Sequence, residues 1–287
     1  MSKKRCLSEE RQMDITHLPE DIYNLFNRGE SCDMGAFGEA VAASARRAFI
    51  GHDRKGKLGL SMMGKCPRSL WYHVHDFEPE EFKPNVRMKF YFGDAIEDIV
   101  LHFAEAAGHK VEMKQHEVEV AGIKGHIDAI VDGMLVDVKS ASTYSFRKFR
   151  EGKLRQDDPF GYISQLSSYL YACQDMEQLK VKDKAAFIVV DKQHGHIHVD
   201  IHDMTEDLKT IESQIERVRN AANADSPPPR PYQTVMDRSG NEKLPLNCSY
   251  CNHKWNCYPG LRGFYSQRGP VFYSVVNREP DMKEIRR

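Results

Sequence analysis

The chain has 287 residues, with 41 basic and 42 acidic side chains and a formal net charge of −1 at pH 7. This length can bury a substantial core in one elaborated domain or in two. No apolar run reaches the length of a membrane span and the first ten residues lack a signal-peptide core, so we expect a cytoplasmic protein with no membrane partner. The near-zero charge excludes a generally basic nucleic-acid-binding surface, so any such binding must be local.

The N-terminal region is predicted to be helical. Residues 18–50 contain two amphipathic stretches, EDIYNLFNRG and GEAVAASARRAF, and a short helix is expected after Cys66. In YFGDAIEDIVLHFAEAAG, apolar residues at 92, 96, 99, 103 and 107 form one helical face that ends at Gly108. Glu97 flanks this face, one turn after Gly93.

The remaining pattern predicts an α/β protein with a mixed central sheet flanked by helices. Strands are expected near 110–120, 123–131, 134–140, 185–191 and 196–201, with helices in DPFGYISQLSSYLYACQ and EDLKTIESQIERVRNAANA. The prolines of SPPPRP indicate a linker. We therefore predict three parts: a helical region over 1–84, a core over 85–225 and a C-terminal segment over 226–287.

A hairpin is predicted in GHIDAIVDGMLVDVKSAS, residues 125–142. Asp132-Gly133 between two apolar runs is the strongest short-range signal for a two-residue turn. Such a turn sets Val131 opposite Met134, which fixes the register of the two strands.

In that register Asp128 faces Asp137, and His126 faces Lys139. Opposed carboxylates repel each other, so either one is protonated or a cation lies between them, and a metal ion is the simpler explanation. Strand alternation places Leu135, Asp137 and Lys139 on one face of the second strand. The other face, which packs inward, carries Met134, Val136 and Val138. The alternative is a hairpin with ordinary solvated charges.

Four motifs in order along the chain resemble those of the RecB-like branch of the PD-(D/E)xK nuclease superfamily. They are Gly93 to Glu97, Gly125-His126-Ile127-Asp128, Asp137-Val138-Lys139, and Gln165 to Tyr169 in the pattern Q-x-x-x-Y. Two features depart from the pattern: Glu97 stands where many relatives have His, which leaves the metal preference open, and no proline precedes Asp128. The resemblance implies a restriction-endonuclease-like core over about residues 85–200.

The resemblance also implies phosphodiester hydrolysis assisted by Mg²⁺ or Mn²⁺, since hard cations held by carboxylates neutralise charge and activate water. The implied metal ligands are Glu97, Asp128, Asp137 and the Val138 carbonyl. Lys139 could orient or deprotonate the attacking water or stabilise the transition-state charge, and these roles stay open. Gln165 and Tyr169 are implied to contact the DNA backbone or Lys139; the alternative is a helix edge with a buried tyrosine.

A basic and aromatic stretch, TYSFRKFREGKLR, follows the predicted catalytic strand at residues 143–155. Cations that meet phosphates and rings that stack on bases suit single-stranded DNA. On this interpretation the DNA-binding residues are Arg147, Lys148, Arg150, Phe146 and Phe149. An ordinary amphipathic helix is the alternative.

Three of the seven cysteines form Cys248-x2-Cys251-x5-Cys257. A fourth ligand must come from elsewhere, and Cys66 is the best candidate because Cys6 lies in a polar tail and Cys173 within a predicted helix. Four thiolates suit an iron–sulphur cluster or zinc, and spacing alone does not choose between them. Disulfides are disfavoured in a cytosolic chain.

One upstream cysteine combined with a C-terminal C-x2-C-x5-C motif resembles the iron–sulphur nucleases. These include AddB-type helicase-nuclease domains, the nuclease domains of eukaryotic replication helicase-nucleases and the CRISPR adaptation nucleases. This resemblance implies a [4Fe-4S] cluster held by Cys66, Cys248, Cys251 and Cys257, which would join the two ends of the chain around the core.

These observations predict a metal-dependent DNA exonuclease that prefers single-stranded ends, in recombination, repair or phage DNA processing. One alternative is a CRISPR adaptation nuclease that trims spacer precursors. A non-enzymatic alternative is a cluster-stabilised nucleic-acid-binding subunit, which the intact Asp137-x-Lys139 motif argues against. A third alternative is a protein that is stabilised by cysteine-bound zinc and in which the Asp137-x-Lys139 motif occurs by chance. The sequence has no helicase motor, so a helicase or recombination partner would be a separate protein.

Overall fold

The structure is a computed structural model that describes residues 13–29, 33–50, 56–267 and 269–285. The N-terminal decapeptide and Cys6, both used in the sequence analysis, lie outside these residues. In the described chain the helices are α1 Leu18–Arg28, α2 Met34–Ile50, α3 Pro67–Val74, α4 Pro84–Ala106, α5 Thr143–Arg150, α6 Tyr162–Ala172, α7 Thr205–Ala222, α8 Leu246–Ser249 and α9 Lys254–Cys257. The strands are β1 Val111–Glu112, β2 Glu117–Val120, β3 Ile123–His126, β4 Ala129–Val131, β5 Met134–Ala141, β6 Lys184–Asp191, β7 Ile197–Asp203, β8 Val235–Met236, β9 Glu242–Lys243, β10 Arg262–Ser266, β11 Gly269–Val275 and β12 Lys283–Glu284.

A five-stranded mixed sheet lies at the centre, in the order β1-β4-β5-β6-β7. Strands β5 and β6 are parallel, and the other neighbouring pairs are antiparallel. The parallel connection passes through α5 and α6, as such a crossover requires. The predicted mixed sheet with flanking helices is therefore confirmed.

Helices cover both faces of this sheet. On one face Leu135 and Phe187 pack among residues of α5, α6 and α7. On the other face Val136 and Ile188 pack against α1 and α4. Successive side chains of β5 point to alternate faces of the sheet, as predicted. Both faces are buried at the start of the strand, so its sequence there is continuously apolar.

The β4–β5 hairpin has the predicted register. Val131 pairs with Met134 and Ala129 with Val136, and the turn residues Asp132 and Gly133 both have positive φ, 50° and 83°. That combination is the one a two-residue type I′ turn requires.

The predicted pairing of His126 with Lys139 is wrong. His126 pairs instead with Glu117 in a separate two-stranded sheet formed by β2 and β3. The chain leaves regular strand structure between His126 and Ala129, so the long strand predicted over 123–131 is two strands in two sheets. The backbone N–H of Ile127 donates to the His116 carbonyl at this crossing.

Helix α4 begins at Pro84, well before the apolar stripe that predicted it. Proline suits the first turn of a helix because it lacks the N–H that would have no partner there. The stripe begins at Phe92, which is exposed, and the residues of α4 that are buried against the sheet are Val100, Leu101 and Ala104 in its second half.

The C-terminal part contains a second five-stranded antiparallel sheet, in the order β12-β10-β11-β9-β8, which the sequence analysis did not predict. It has a small apolar core of its own, built from Leu244, Tyr258, Leu261 and Phe272. The alternating side-chain pattern of RGFYS and GPVFYSV is the feature of the sequence that could have predicted β10 and β11. The three-part division of the chain stays a prediction.

No helix among the described residues is both long enough and apolar enough to cross a membrane.

Candidate active site and cysteine cavity

The candidate active site lies where β5 emerges between α4 and α6. Asp137 is 3 % exposed, and Asp128 is half-buried just before β4. The Asp128 Oδ2 accepts a hydrogen bond of 2.7 Å from the Val138 backbone N–H, which fixes this carboxylate beside β5. Burial, followed by the neighbouring charges of Asp137 and Glu97, raises the pKa of Asp128 well above its usual value.

Lys139 forms an ion pair with the Oδ2 of Asp137. Its ammonium also lies 4.9 Å from the ring centroid of Tyr162 and 6.0 Å from that of Phe187. Burial acts to lower the pKa of Lys139, but the charges of Asp137 and Asp128 outweigh it, so the pKa is raised. The lysine is therefore held as a cation against the carboxylates.

Helix α6 supplies the opposite wall of the site. The Gln165 side-chain amide donates to the Asp137 Oδ1 at 3.4 Å. Tyr169 is 5 % exposed, and its ring lies so close to Gly125 that a Cβ there would be 2.7 Å from Tyr169 Cε1. Gly125 is thus required by the packing of Tyr169, and a contact of this tyrosine with DNA stays a prediction.

Gln115 belongs to the site and was missed by the sequence analysis. Its side-chain amide donates to the Glu97 Oε1 at 2.5 Å, and its backbone N–H donates to the Asp128 carbonyl at 3.1 Å. Gln115 has a φ of +53° in the loop between β1 and β2. No motif marks a loop glutamine of this kind, so only the fold reveals it.

The carboxylates fit a hard divalent cation by their chemistry. Asp128 and Asp137 are drawn together with Glu97 at one partly buried position, and their mutual repulsion is what a bound cation would relieve. In the part of the chain that the structure describes, no three His, Cys, Asp or Glu side chains are arranged so as to hold a metal ion. The assignment of Glu97, Asp128, Asp137 and the Val138 carbonyl as ligands therefore stays a proposal.

The stacking role predicted for Phe146 and Phe149 is wrong. Their exposed fractions are 5 % and 3 %, and both belong to the core on the α5–α6 face of the sheet. The amphipathic-helix alternative explains them. Helix α5 turns Phe146 and Phe149 inward, and Arg147 and Arg150 lie on its exposed face.

The basic residues of α5 differ in their surroundings. Arg147 and Arg150 are exposed, as is Tyr144, at 77 %. Lys148 is partly buried and bound to Asp157, through both its carbonyl at 2.8 Å and its carboxylate at 2.5 Å. Two of the three predicted cations therefore face solvent beside the end of β5.

The structure brings Cys66, Cys248, Cys251 and Cys257 together around one cavity. Cys66 directly precedes α3, and the other three lie in and around α8 and α9. Burial raises the pKa of the Cys66 thiol, and it raises that of Cys248 to about 11. Among the described cysteines none is in a disulfide.

Polar side chains around the cavity form hydrogen bonds with the segments that carry its cysteines. The Cys251 Sγ donates to the Ser69 Oγ at 3.3 Å, and Arg230 donates to the Cys257 carbonyl. Arg68 donates to the Pro228 carbonyl at 2.7 Å, so the proline-rich segment is fixed to α3. Four thiols line one cavity, but among the described residues no three of them are placed so as to hold a metal ion, so a thiolate-bound iron–sulphur cluster or zinc ion stays a proposal.

The cysteine segments contact the loop that begins α6. The Asn247 side chain donates to the Pro159 carbonyl at 2.9 Å, and the rings of Phe160 and Tyr250 pack edge to face at 5.8 Å. In the same loop, the Asp158 carboxylate accepts the backbone N–H groups of residues 162 and 163, each at 2.9 Å. The cysteine cavity is thus connected to the helix that carries Gln165.

A family model described as the PD-(D/E)XK nuclease superfamily matches residues 24–258. The chain belongs to this superfamily. The matched range includes both the candidate active site and all four cavity cysteines.

Two solved structures were also found by fold. The crystal structure of SSO0001 is 15 % identical, with a TM-score of 0.41, and the match covers 75 % of this chain and 93 % of that one. A phage-related exonuclease from Haemophilus somnus 129PT is 13 % identical, with a TM-score of 0.36, and the match covers 61 % and 96 % of the two chains. No curated protein matched the sequence.

Membership in the PD-(D/E)XK superfamily accounts for the architecture. The central mixed sheet with helices on both faces is consistent with the restriction-endonuclease-like fold of these nucleases. The superfamily also indicates a nuclease that uses divalent metal ions such as Mg²⁺ or Mn²⁺, with DNA as substrate.

Proposed function

We propose that this protein is a RecB-like, metal-dependent deoxyribonuclease that digests DNA exonucleolytically from single-stranded ends. The observation that carries the proposal is the Asp137–Lys139 ion pair beside the half-buried Asp128 carboxylate. A buried pair of carboxylates with an adjacent ammonium is costly for folding. That cost is explained if the arrangement serves catalysis.

Each side chain has a distinct task in the proposed reaction. Asp128, Asp137 and Glu97, with the Val138 carbonyl, would hold the divalent cation. When bound, that cation neutralises charge on the phosphate and lowers the pKa of the attacking water. Lys139, which pairs with Asp137, would stabilise the charge of the transition state.

Exposed basic residues support a DNA strand as substrate. Arg147 and Arg150 lie on α5, directly after the end of β5, so a strand held there would lead toward Lys139. The chain carries no net positive charge, and this favours local capture of a flexible single strand over broad contact with a duplex. Such an activity fits recombination, repair or phage DNA processing, with a separate helicase or recombination protein as partner.

The test is digestion of DNA labelled at the 5′ or the 3′ end, single- or double-stranded, with Mg²⁺ or Mn²⁺. We expect short products from linear single strands and no cutting of closed circular duplex. Lys139→Ala is the inactive control. Efficient cutting of closed circles would overturn the exonuclease proposal and indicate a structure-specific endonuclease.

We further propose that the cysteine cavity holds a [4Fe-4S] cluster. Four thiols lining one cavity in a nuclease of this superfamily support the proposal. The cluster would fasten the C-terminal sheet to α3 and to the loop that begins α6. Iron and acid-labile sulphide analysis of protein purified without oxygen tests it, and stoichiometric zinc in a colourless protein would overturn it.

A further inference from the structure

The first half of α4 extends beyond the packed core. From Pro84 to Phe92, every residue except Val86 and Tyr91 is exposed. At 1.5 Å per residue this half-helix is roughly 14 Å long. The burial of α4 begins only in its second half, so this part of the helix is not needed to cover the sheet.

This half-helix carries large apolar side chains in the open. The exposed fractions are 52 % for Met88, 52 % for Phe90 and 49 % for Phe92, and Phe82 just before the helix is 38 % exposed. Phe82 packs edge to face on Phe90 with 4.9 Å between ring centroids. Met88 and Phe92 are each two residues from Phe90, about 200° around the helix, so Phe90 lies with Phe82 on one side and Met88 and Phe92 lie on the other. The contacting pair Phe82 and Phe90 is therefore the apolar part of one surface.

The same segment is basic. Residues 82–93 include Lys83, Arg87 and Lys89 and no acidic residue, although the whole chain has a net charge of −1. Arg87 is exposed and lies three residues before Phe90, so the two are neighbours on the helix surface, whereas the exposed Lys89 does not face Phe90. The surface therefore complements a partner that is both anionic and rich in flat apolar groups.

The surface is continuous with the candidate active site. At one end, Lys83 donates to the Tyr265 hydroxyl at 2.5 Å, and its ammonium lies 4.9 Å from the Tyr265 ring centroid, which joins the segment to β10. At the other end, a Cβ on Gly93 would lie 3.7 Å from the Ser140 Oγ. Ser140 follows Lys139, and Glu97 is one turn further along the same helix.

We propose that the exposed half of α4, with Phe82 before it, is a platform for unpaired nucleotides of the DNA strand entering the active site. A base stacks on Phe90, beside Phe82, and a phosphate binds Arg87. Stacked bases within a duplex expose only their edges to such rings, so the platform selects single strands. A second copy of this chain is a poorer occupant, because it would bring two sets of cations together. This inference rests on the proposed nuclease function and adds where its substrate is held.

The test compares Phe90→Ala with the parent protein by fluorescence anisotropy, using labelled oligo(dT) and a blunt duplex in a Ca²⁺ buffer. We expect single-strand affinity to fall about fivefold or more, as the loss of one stacking contact implies, with duplex affinity unchanged. Met236→Ala, which removes another exposed apolar side chain, at 67 % exposure, is the matched control and should bind as the parent does.

A second variant keeps the test independent of the folding of the first. Arg87→Gln should flatten the plot of log affinity against log salt by about 0.7, as expected for one lost phosphate contact on a single strand. Hydrolysis of bis(p-nitrophenyl) phosphate, a diester too small to reach the platform, should stay at the parental rate in both variants.

Three results would overturn the platform. They are parental single-strand affinity in both variants, an equal loss of duplex binding, or a change of oligomeric state on sedimentation with DNA affinity retained. If the parent hydrolyses no DNA, the proposed function itself fails. That outcome is distinct from a parent that digests DNA while the platform variants bind normally.

Discussion

The backbones of Gly64 and Gly161 are in contact: a Cβ on Gly64 would lie 2.2 Å from the Gly161 carbonyl oxygen and 2.3 Å from its Cα. Gly64 is two residues before the cavity cysteine Cys66, and Gly161 is the N-cap of α6. The cysteine cavity and the helix of Gln165 are therefore joined at a point where no side chain fits.

Gly64→Ala should destabilise the protein and slow DNA hydrolysis, because a backbone clash cannot be relieved by rotating a side chain. Overpacking of this kind costs about 1 to 3 kcal/mol. Thermal unfolding and initial cleavage rates measure the two effects. Gly38→Ala, at an exposed site in α2 where a Cβ would meet nothing within 4 Å, is the control and should be neutral or slightly stabilising. Equal melting temperatures for the two variants would show that a side chain at position 64 does not clash with the Gly161 backbone.

Asp128→Asn and Lys139→Ala should each reduce DNA cleavage to background, because one loses a proposed metal ligand and the other the cation beside the phosphate. The Asn side chain can keep the bond from the Val138 N–H, and it removes a carboxylate whose pKa is raised by burial and by like charges. We therefore expect Asp128→Asn to melt no lower than the parent without divalent metal. Cleavage at the parental rate by either variant would show that the active site is elsewhere.

Gln115→Ala should weaken the response to metal more than it lowers the maximal rate, because Gln115 positions Glu97 and does not touch the reacting atoms. Loss of such a supporting hydrogen bond typically costs 10- to 100-fold in metal affinity, about the shift expected in the Mn²⁺ titration of cleavage. A lower rate at saturating Mn²⁺ with an unchanged midpoint would contradict this role.

Cys66→Ala, Cys251→Ala and Cys257→Ala should each abolish the brown colour and iron content of protein purified without oxygen, and should lower its thermal stability. Cys173 is buried in the core at the end of α6, away from the cavity, and burial raises its pKa to about 12. Cys173→Ala should therefore keep full iron content, although the small cavity it leaves lowers stability. Full iron in Cys66→Ala would place the fourth ligand elsewhere.

Arg147→Glu/Arg150→Glu should weaken single-strand binding and flatten its salt dependence, with colour and metal response retained. Lys209→Glu on α7 changes the charge of another exposed lysine, one paired with Glu206, and is the control. Unchanged affinity in the double variant would remove α5 from the DNA path and leave the α4 platform as the binding surface.

The elements nearest the hairpin were predictable because local chemistry decides them. Asp132-Gly133 dictates its turn, and the register of β4 and β5 follows from it. The position of Phe146 and Phe149 was not predictable in this way: an amphipathic helix with basic and aromatic residues suits either a core or a nucleic acid, and only the packing of α5 on β6 and β7 decides. The exposed ring of Phe90 was overlooked for another reason, since it lies outside the apolar face predicted for α4 and periodicity does not show which other helix positions stay exposed. Gln115 reaches Glu97 through a loop, which no spacing rule describes.

The four-cysteine cavity can form only late in the synthesis of the chain. Ser69 and Cys251, which meet there, are 182 residues apart, so at translation rates of 5–20 residues per second roughly 10 to 40 s separate the synthesis of the two sides. The strands of the central sheet emerge from the ribosome within that interval and can pair first. The loop that begins α6 gains its contacts with Asn247 and Tyr250 only at the end. A chain truncated before Leu246 would thus carry every carboxylate of the candidate site and the core packing of α6, and would lack the contacts that Asn247 and Tyr250 make with the loop before α6.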